Sequence, residues 1–329
     1  MAVYTEVSDD EVAAFAAEYD IGEVLACKGI AEGVENTNYL LTTERGPYIL
    51  TLYEKRVKAD DLPFFLKLMD HLAARGVPCP LPVAGRDGEA LRTLAGQPAA
   101  IVTFLAGMWP RRPDVLHCSE LGTVRATMHL AGAGFATSRP NDLSVDSWRP
   151  LLKRAAGPDG TGADQVRAGL GDELAAELDH LEANWPSRLP VGVIHADLFP
   201  DNVFFRSGRV SGVIDFYFAC TDAFAYDIAI CLNAWCFESD MSFNVTKARR
   251  LLNGYHKVRA LQPRELEFLP LLARGAAMRF LVTRLYDWLN TPADALVTRK
   301  DPLEYLAKLR FHAGIEDVGA YGLGDGDGK

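Results

Sequence analysis

Two segments of the chain bring together residues able to do chemistry, HADLFPDNVFF and the GVIDF that follows it. The apolar run Val191, Val193 and Ile194 ends at His195, and Asp197 sits on the turn beyond it. Asn202 comes five residues after Asp197, and a second apolar run ends at Asp215, thirteen residues beyond Asn202. Two strand ends thereby present a carboxylate, an amide oxygen and a second carboxylate at one edge. Phosphoryl transfer to a hydroxyl needs this set. One carboxylate orients the attacking hydroxyl and accepts its proton, while hard oxygen ligands hold magnesium against the phosphates. An amide oxygen and a carboxylate suit Mg2+, which keeps several waters and needs only one or two protein ligands. A polar hairpin can carry an isolated His-x-Asp by chance; the full spacing, with apolar strands on both sides, is specific.

The spacing H-x-D-x-x-x-x-N followed by a distant Asp resembles the catalytic segment of the protein-kinase-like superfamily. The version here is similar to that of the aminoglycoside phosphotransferase-like branch, which acts on small molecules. That resemblance implies ATP as donor, Asp197 as base, Asn202 and Asp215 as magnesium ligands, and His195 as a brace for the loop. It also implies that Asp227, in AYDIA, sits on a buried helix and hydrogen-bonds that loop; an ordinary helix acid is the alternative. Longer words resemble the bacterial homoserine kinases of this branch: GVIHADLFPDNVFF, IDFYFACTDAFAYDIAICLNAWCFE, YILTLYEKR, LPFFLKLMDHLAARGVPCPLP and RFLVTRLYDWLNTP. The similarity runs from about Gly29 to about Pro292. In that family the hydroxyl of L-homoserine is phosphorylated to O-phospho-L-homoserine, a precursor of threonine.

The elements that must position these residues are readable as a two-lobed α+β fold. DDEVAAFAAEY predicts a short amphipathic helix, and KGIAEGVENTNYLLTTERGPYILTLYEK alternates as two or three antiparallel strands broken at Gly29, Gly33 and Gly46-Pro47. DDLPFFLKLMDHLAARG has a helical period, with Phe65, Leu68, Met69 and Leu72 on one face. VPCPLPV leads into another strand pair ending at AAIVTFL. From LHCSELGTVRATMHLAGAG onward the chain reads as mainly helical. It is interrupted by the loop AAGPDGTGAD and by the strand-like pair VGVIHA and GVIDFYF around a polar turn. The expected division is a nucleotide-binding lobe over residues 1–105, a catalytic and acceptor-binding lobe over 106–318, and a glycine- and acid-rich frayed tail over 319–329.

Kinases of this superfamily carry a lysine on the third strand and a glutamate on the following helix. Here Thr51 falls at the lysine position, and LPFFLKLMDHLAARG holds no glutamate. Lys55 faces the same way as Thr51 but lies roughly 13 Å further along the strand. Loss of both partners is coherent, since a lone buried charge is costly. The turn from Gly29 and Gly33 into Asn36, Thr37 and Asn38 could supply phosphate-binding amides, or be a plain surface hairpin. Lys28, Lys55 and Arg56 are candidate cations or solvated surface charges. Thr103, Phe104 and Leu105 are expected to form the connector whose backbone reads adenine.

A zwitterionic acceptor needs an acid or amide for its ammonium and a cation for its carboxylate. Arg279 and Arg284 lie in an apolar helix where an unpaired charge would be costly; Arg284 could instead pair with Asp287 at i,i+3. Tyr217, Asp222, Asn233 and Trp235 follow Asp215 and could wall the acceptor pocket, with core packing the alternative for the two aromatics. Other small acceptors (choline, methylthioribose, an aminoglycoside) are the rival reading, and a catalytically silent binding module is a more distant one. The acid-poor run LNAWCF argues against a polycationic aminoglycoside.

Composition bounds the rest. The chain has 329 residues, a net charge of −10 and 49% hydrophobic residues, an ordinary balance for a globular protein. It has no Lys/Arg-rich run to recommend nucleic acid or an anionic membrane. No secretory h-region and no transmembrane stretch are visible, and six scattered cysteines read as free thiols of a reducing cytoplasm. Nothing in the sequence defines an oligomeric state.

Overall fold

The computed structural model describes residues 5–30, 36–54, 57–291 and 299–323. Gly33, Lys55 and Arg56 fall outside them. Five strands, β1 (Val24–Gly29), β2 (Thr37–Thr43), β3 (Gly46–Leu52), β4 (Arg92–Leu94) and β5 (Gln97–Thr103), form an antiparallel sheet in the order β1-β2-β3-β5-β4. The alternation read in the sequence is seen in β2, where Thr37, Tyr39, Leu41 and Thr43 are the buried positions. One face of the sheet is covered by α1 (Asp9–Ala16), whose Val12 and Phe15 pack with Leu41, Leu50 and Ile101. Ser8 and Glu11 cap that helix reciprocally.

The other face meets α2 (Leu62–Ala73). Phe65, Leu68, Met69 and Leu72 are all buried, and with Ala100 and Val102 they join the large core of the second lobe. The helix of the sheet lobe thus shares its packing with the helical lobe.

The larger lobe contains α3 (Val115–Ala131), α4 (Val145–Ala156), α5 (Leu170–Asn184), α6 (Phe224–Trp235), α7 (Val245–His256), α8 (Pro263–Asn290) and α9 (Pro302–Ala313). Helices α3 and α7 approach to backbone contact at paired glycines. A Cβ on Gly122 would lie 2.0 Å from the Leu251 carbonyl oxygen, and one on Gly254 would lie 2.3 Å from that of Ser119. Any side chain at either position would drive the helices apart. The register they keep places Arg125 and His129 of α3 beside α6.

Four short strands carry the chemical residues. β6 (Val191–Ile194) pairs with β9 (Cys220–Ala223), and β7 (Val203–Arg206) pairs with β8 (Arg209–Val213). The two apolar runs expected to bracket one polar turn therefore do not pair with each other. Each finds its own partner, and the catalytic residues lie where the two hairpins adjoin.

A second difference concerns the C-terminus, expected to fray from residue 319. Val318–Tyr321 form a 3-10 turn because Tyr321 is an anchor, fully buried, with its hydroxyl 2.7 Å from His312 Nδ1. Only residues 324–329 of the expected tail lie outside the described residues. The cysteines are all free, five of them buried. Among the described residues no helix is long and apolar enough to cross a membrane.

Candidate active site

Ile194 ends β6, and the chain turns through Ala196 with φ 63° before presenting Asp197. Asp215, just past β8, is likewise left-handed at φ 65°. Such non-glycine conformations cost about 1–3 kcal/mol each and persist where neighbours over-determine them. Here the neighbours are identifiable. The Asp227 carboxylate, fully buried on α6, accepts from His195 N–H at 3.1 Å and from Ala196 N–H at 2.9 Å. Asp227 is held in turn by Arg125 Nη2 at 2.8 Å and His129 Nε2 at 2.9 Å. Burial alone would raise its pKa, but the Arg125 charge and the His129 hydrogen bond outweigh it, and the carboxyl stays well below the usual range.

Three successive carbonyls at Asp197 are each bound by a side chain. Arg279 Nη1 donates to Ala196 O, the Trp235 indole N–H to Leu198 O at 2.8 Å, and Asn202 Nδ2 to Asp197 O at 2.8 Å. His195 accepts from Asp197 N–H at Nδ1 (3.3 Å) and donates from Nε2 to Ile214 O (2.9 Å). Burial lowers its pKa to about 4, so the ring is neutral. The half-buried Asp197 carboxyl is pushed up to about 6 by burial, against the positive charges of Arg279 and Lys300.

Asn202 and Asp215 offer oxygen donors of the kind a hard divalent cation takes. Because the Asn202 amide nitrogen is committed to Asp197 O, its Oδ1 lies on the other side of the amide, where a neutral oxygen could meet a cation. Ile214 N–H bonds Asn202 O at 3.0 Å, which sets Asp215 one residue beyond that contact. Among the described residues no group of three or more His, Cys, Asp or Glu has metal-holding geometry. An ion here would therefore draw most of its shell from phosphate and water, as Mg2+ does in nucleotide sites.

The nucleotide-side residues lie along the sheet. Thr51 is buried and faces Asn38 across the β2–β3 ladder, its hydroxyl donating to Asn38 Oδ1 at 2.8 Å. Asn36 Oδ1 accepts from Glu54 N–H at 3.2 Å, and the Thr37 hydroxyl donates to Glu54 Oε1 at 2.8 Å. Gly29 ends β1 opposite Tyr39. Thr103 is bound at both its N–H and its hydroxyl to the Leu81 backbone. Phe104 is exposed, and Leu105 packs on Gly212 of β8.

The acceptor-side candidates each have a partner within the protein. Tyr217 bridges the lobes, its hydroxyl 3.3 Å from that of Tyr53 and its ring edge-on to Phe65. Asp222, on β9, accepts from Asn141 Nδ2 at 2.7 Å. Asn233 is fully buried and bonds Ala273 O at 2.9 Å, tying α6 to α8. Arg279 is 1% exposed and stands behind the catalytic turn, between Phe218 and Phe280. Arg284 pairs with Glu304 of α9 at 2.6 Å and lies over the Tyr305 ring. Lys300, whose charge reaches Asp197, was not among the candidates. It lies outside the recognisable words, and only the fold brings it to the base.

A sheet lobe over a helical lobe, with a carboxylate, an amide and a second carboxylate where two hairpins adjoin, is the arrangement of a phosphotransferase. The sequence model of the phosphotransferase enzyme family matches residues 26–261, and the chain belongs to that family. Among curated relatives, the homoserine kinase of Paramagnetospirillum magneticum is 65% identical over 329 residues, covering 98% of this chain and 100% of that protein. The homoserine kinase of Rhodospirillum rubrum is 64% identical, covering 98% and 99%. Solved structures share the fold at low identity. A choline kinase of Cryptosporidium parvum superposes with TM-score 0.68 at 13% identity, covering 93% of this chain and 94% of that one. An amicoumacin kinase in complex with AMP-PNP, Ca2+ and Ami superposes with TM-score 0.67 at 17% identity, covering 94% and 93%.

Proposed function

We propose that the protein transfers the γ-phosphoryl group of ATP to the hydroxyl of L-homoserine, giving O-phospho-L-homoserine and ADP. The observation that carries the acceptor is the near end-to-end match, at 60–65% identity, to curated homoserine kinases. The catalytic geometry carries the reaction class.

In this reading Asp197 accepts the hydroxyl proton as the acceptor oxygen attacks the γ-phosphorus in line, and ADP leaves. The raised affinity of Asp197 for a proton suits a base, and Arg279 and Lys300 keep it from rising further. His195 and Asp227 hold the turn so that the base need not reorganise. Asn202 Oδ1 and the Asp215 carboxylate would hold Mg2+, which when bound supplies neutralising charge to the phosphates. Adenine would lie against the 103–105 connector, and amides of the turn over residues 29–38 would take the place of a lysine at the phosphates. The free thiols fit a reducing cytoplasm.

The test is product identification. Incubation with ATP, Mg2+ and L-homoserine should give a phosphate monoester on the side-chain oxygen, seen by 31P NMR, in equal amount to ADP. ADP formed without that ester would refute the acceptor.

A further inference from the structure

An amino-acid acceptor brings both charges of its α-carbon to within two methylenes of the reacting hydroxyl. Its carboxylate and ammonium therefore need opposite charges close to the base. Most cations around Asp197 are already committed. Arg279 is sequestered beneath Ala196 O, and both Arg284 and Lys308 are paired with Glu304. Lys300 differs: it is exposed, and it has no carboxylate partner among the described residues. Its ammonium lies 5.6 Å from the centroid of the Phe199 ring. Phe199 follows the base by two residues and donates its N–H to Asp197 O at 2.9 Å. Its ring packs edge-on to Phe280 at 5.0 Å, which fixes the floor on which the lysine rests.

The opposite charge stands nearby. Asp201, on the 3-10 turn Pro200–Asn202, is exposed and has no ion-pair partner among the described residues. Both charges act on Asp197, Lys300 lowering and Asp201 raising its affinity for a proton. Lys300 precedes α9 and Asp201 follows β6, so the helical lobe supplies both. Tyr53 of the sheet lobe packs edge-on against Tyr217.

We propose that Lys300 and Asp201 form a subsite for the zwitterionic end of the acceptor, Lys300 receiving the α-carboxylate and Asp201 the α-ammonium. This inference rests on the homoserine reading above. It makes these two residues determinants of specificity, while the base and the metal-site residues serve any hydroxyl.

The experiment compares three acceptors on wild type, Lys300→Met, Lys300→Arg and Asp201→Asn: L-homoserine, 3-aminopropan-1-ol without the carboxylate, and 4-hydroxybutanoate without the ammonium. Lys300→Met should raise KM for homoserine about ten- to a hundredfold, the range for a lost charge-assisted bond. Assayed at about pH 8, where Asp197 is ionised with or without the lysine charge, the variant should keep KM for ATP and turnover of 3-aminopropan-1-ol near wild type, and Lys300→Arg should recover most of the loss. Asp201→Asn should weaken homoserine while sparing 4-hydroxybutanoate. Equal losses on all three acceptors, or a raised KM for ATP in Lys300→Met, would overturn the subsite and move Lys300 to the phosphates. An unchanged KM for homoserine in folded Lys300→Met would overturn it while leaving the function intact. Wild type inert toward homoserine would overturn both.

Discussion

His195 donates its Nε2–H to the carbonyl of Ile214 at 2.9 Å, and this bond joins the turn bearing Asp197 to the turn bearing Asp215. The ring accepts at Nδ1 from Asp197 N–H, so its tautomer is set from both sides. His195→Ala removes the bridge and leaves buried polar groups unpaired, at a cost of about 1–3 kcal/mol in stability. kcat should fall more than KM for ATP rises, because base and metal site lose their mutual register. Thermal melts with steady-state kinetics check this; wild-type kcat would show the bridge to be dispensable.

Asp197→Asn should lower kcat by about 10²–10⁴-fold, with ATP affinity little changed by a nucleotide titration. Burial pushes the Asp197 carboxyl up to about 6, so kcat/KM should rise with pH through that value and level off above it. The linked stability effect has the opposite sense. The folded state holds this proton to higher pH than the unfolded chain does, so folding is increasingly disfavoured as pH rises from about 4 through 6. Asp197→Asn should then be more stable than wild type above that window, on the order of 2 kcal/mol after allowing for solvent reaching the group.

Asn202→Ala and Asp215→Ala should each raise the Mg2+ concentration needed for turnover, Asp215→Ala more severely. Asp215 offers a full charge, whereas Asn202 offers a dipole whose amide nitrogen is already bound to Asp197 O. Asn202→Ala should also loosen the turn at Asp197. Magnesium titrations like those of wild type for both variants would show that the ligands lie elsewhere.

Thr51→Lys should fail to improve turnover. The site is 3% exposed, and its hydroxyl is bonded to Asn38 rather than to an acid, so an ammonium there would be buried without a partner. Thr51→Ala should cost about 1 kcal/mol, one neutral hydrogen bond. A gain in kcat/KM for ATP in the lysine variant would reverse this view of phosphate binding.

Local patterns made much of the fold legible. The period-two alternation of β2 and the helical stripe of α2 record which side chains face a core, and the segment from His195 to Asp215 carries its chemistry in adjacent words. What stayed hidden depends on partners distant in sequence. β6 and β8 are both apolar, and nothing local says that each pairs with another strand. Arg284 sits within reach of Asp287 in sequence, yet Glu304 of the next helix supplies its ion pair. Asn233 resembles a pocket residue until its amide is seen bonding Ala273 O in the α6–α8 contact. Tyr321 lies among glycines and acids, and only its burial against His312 separates it from a frayed end.

The central claim is that this site phosphorylates one small amino-acid alcohol. Its most direct test is a one-pot competition with limiting ATP and equal concentrations of L-homoserine, choline, methylthioribose and kanamycin, followed by mass spectrometry of the phosphorylated products. O-phospho-L-homoserine should exceed every other product by at least about a hundredfold, the discrimination available to a site that pairs the acceptor's polar groups. A different phosphorylated acceptor in excess, or no product from a folded protein that still binds ATP, would contradict the account.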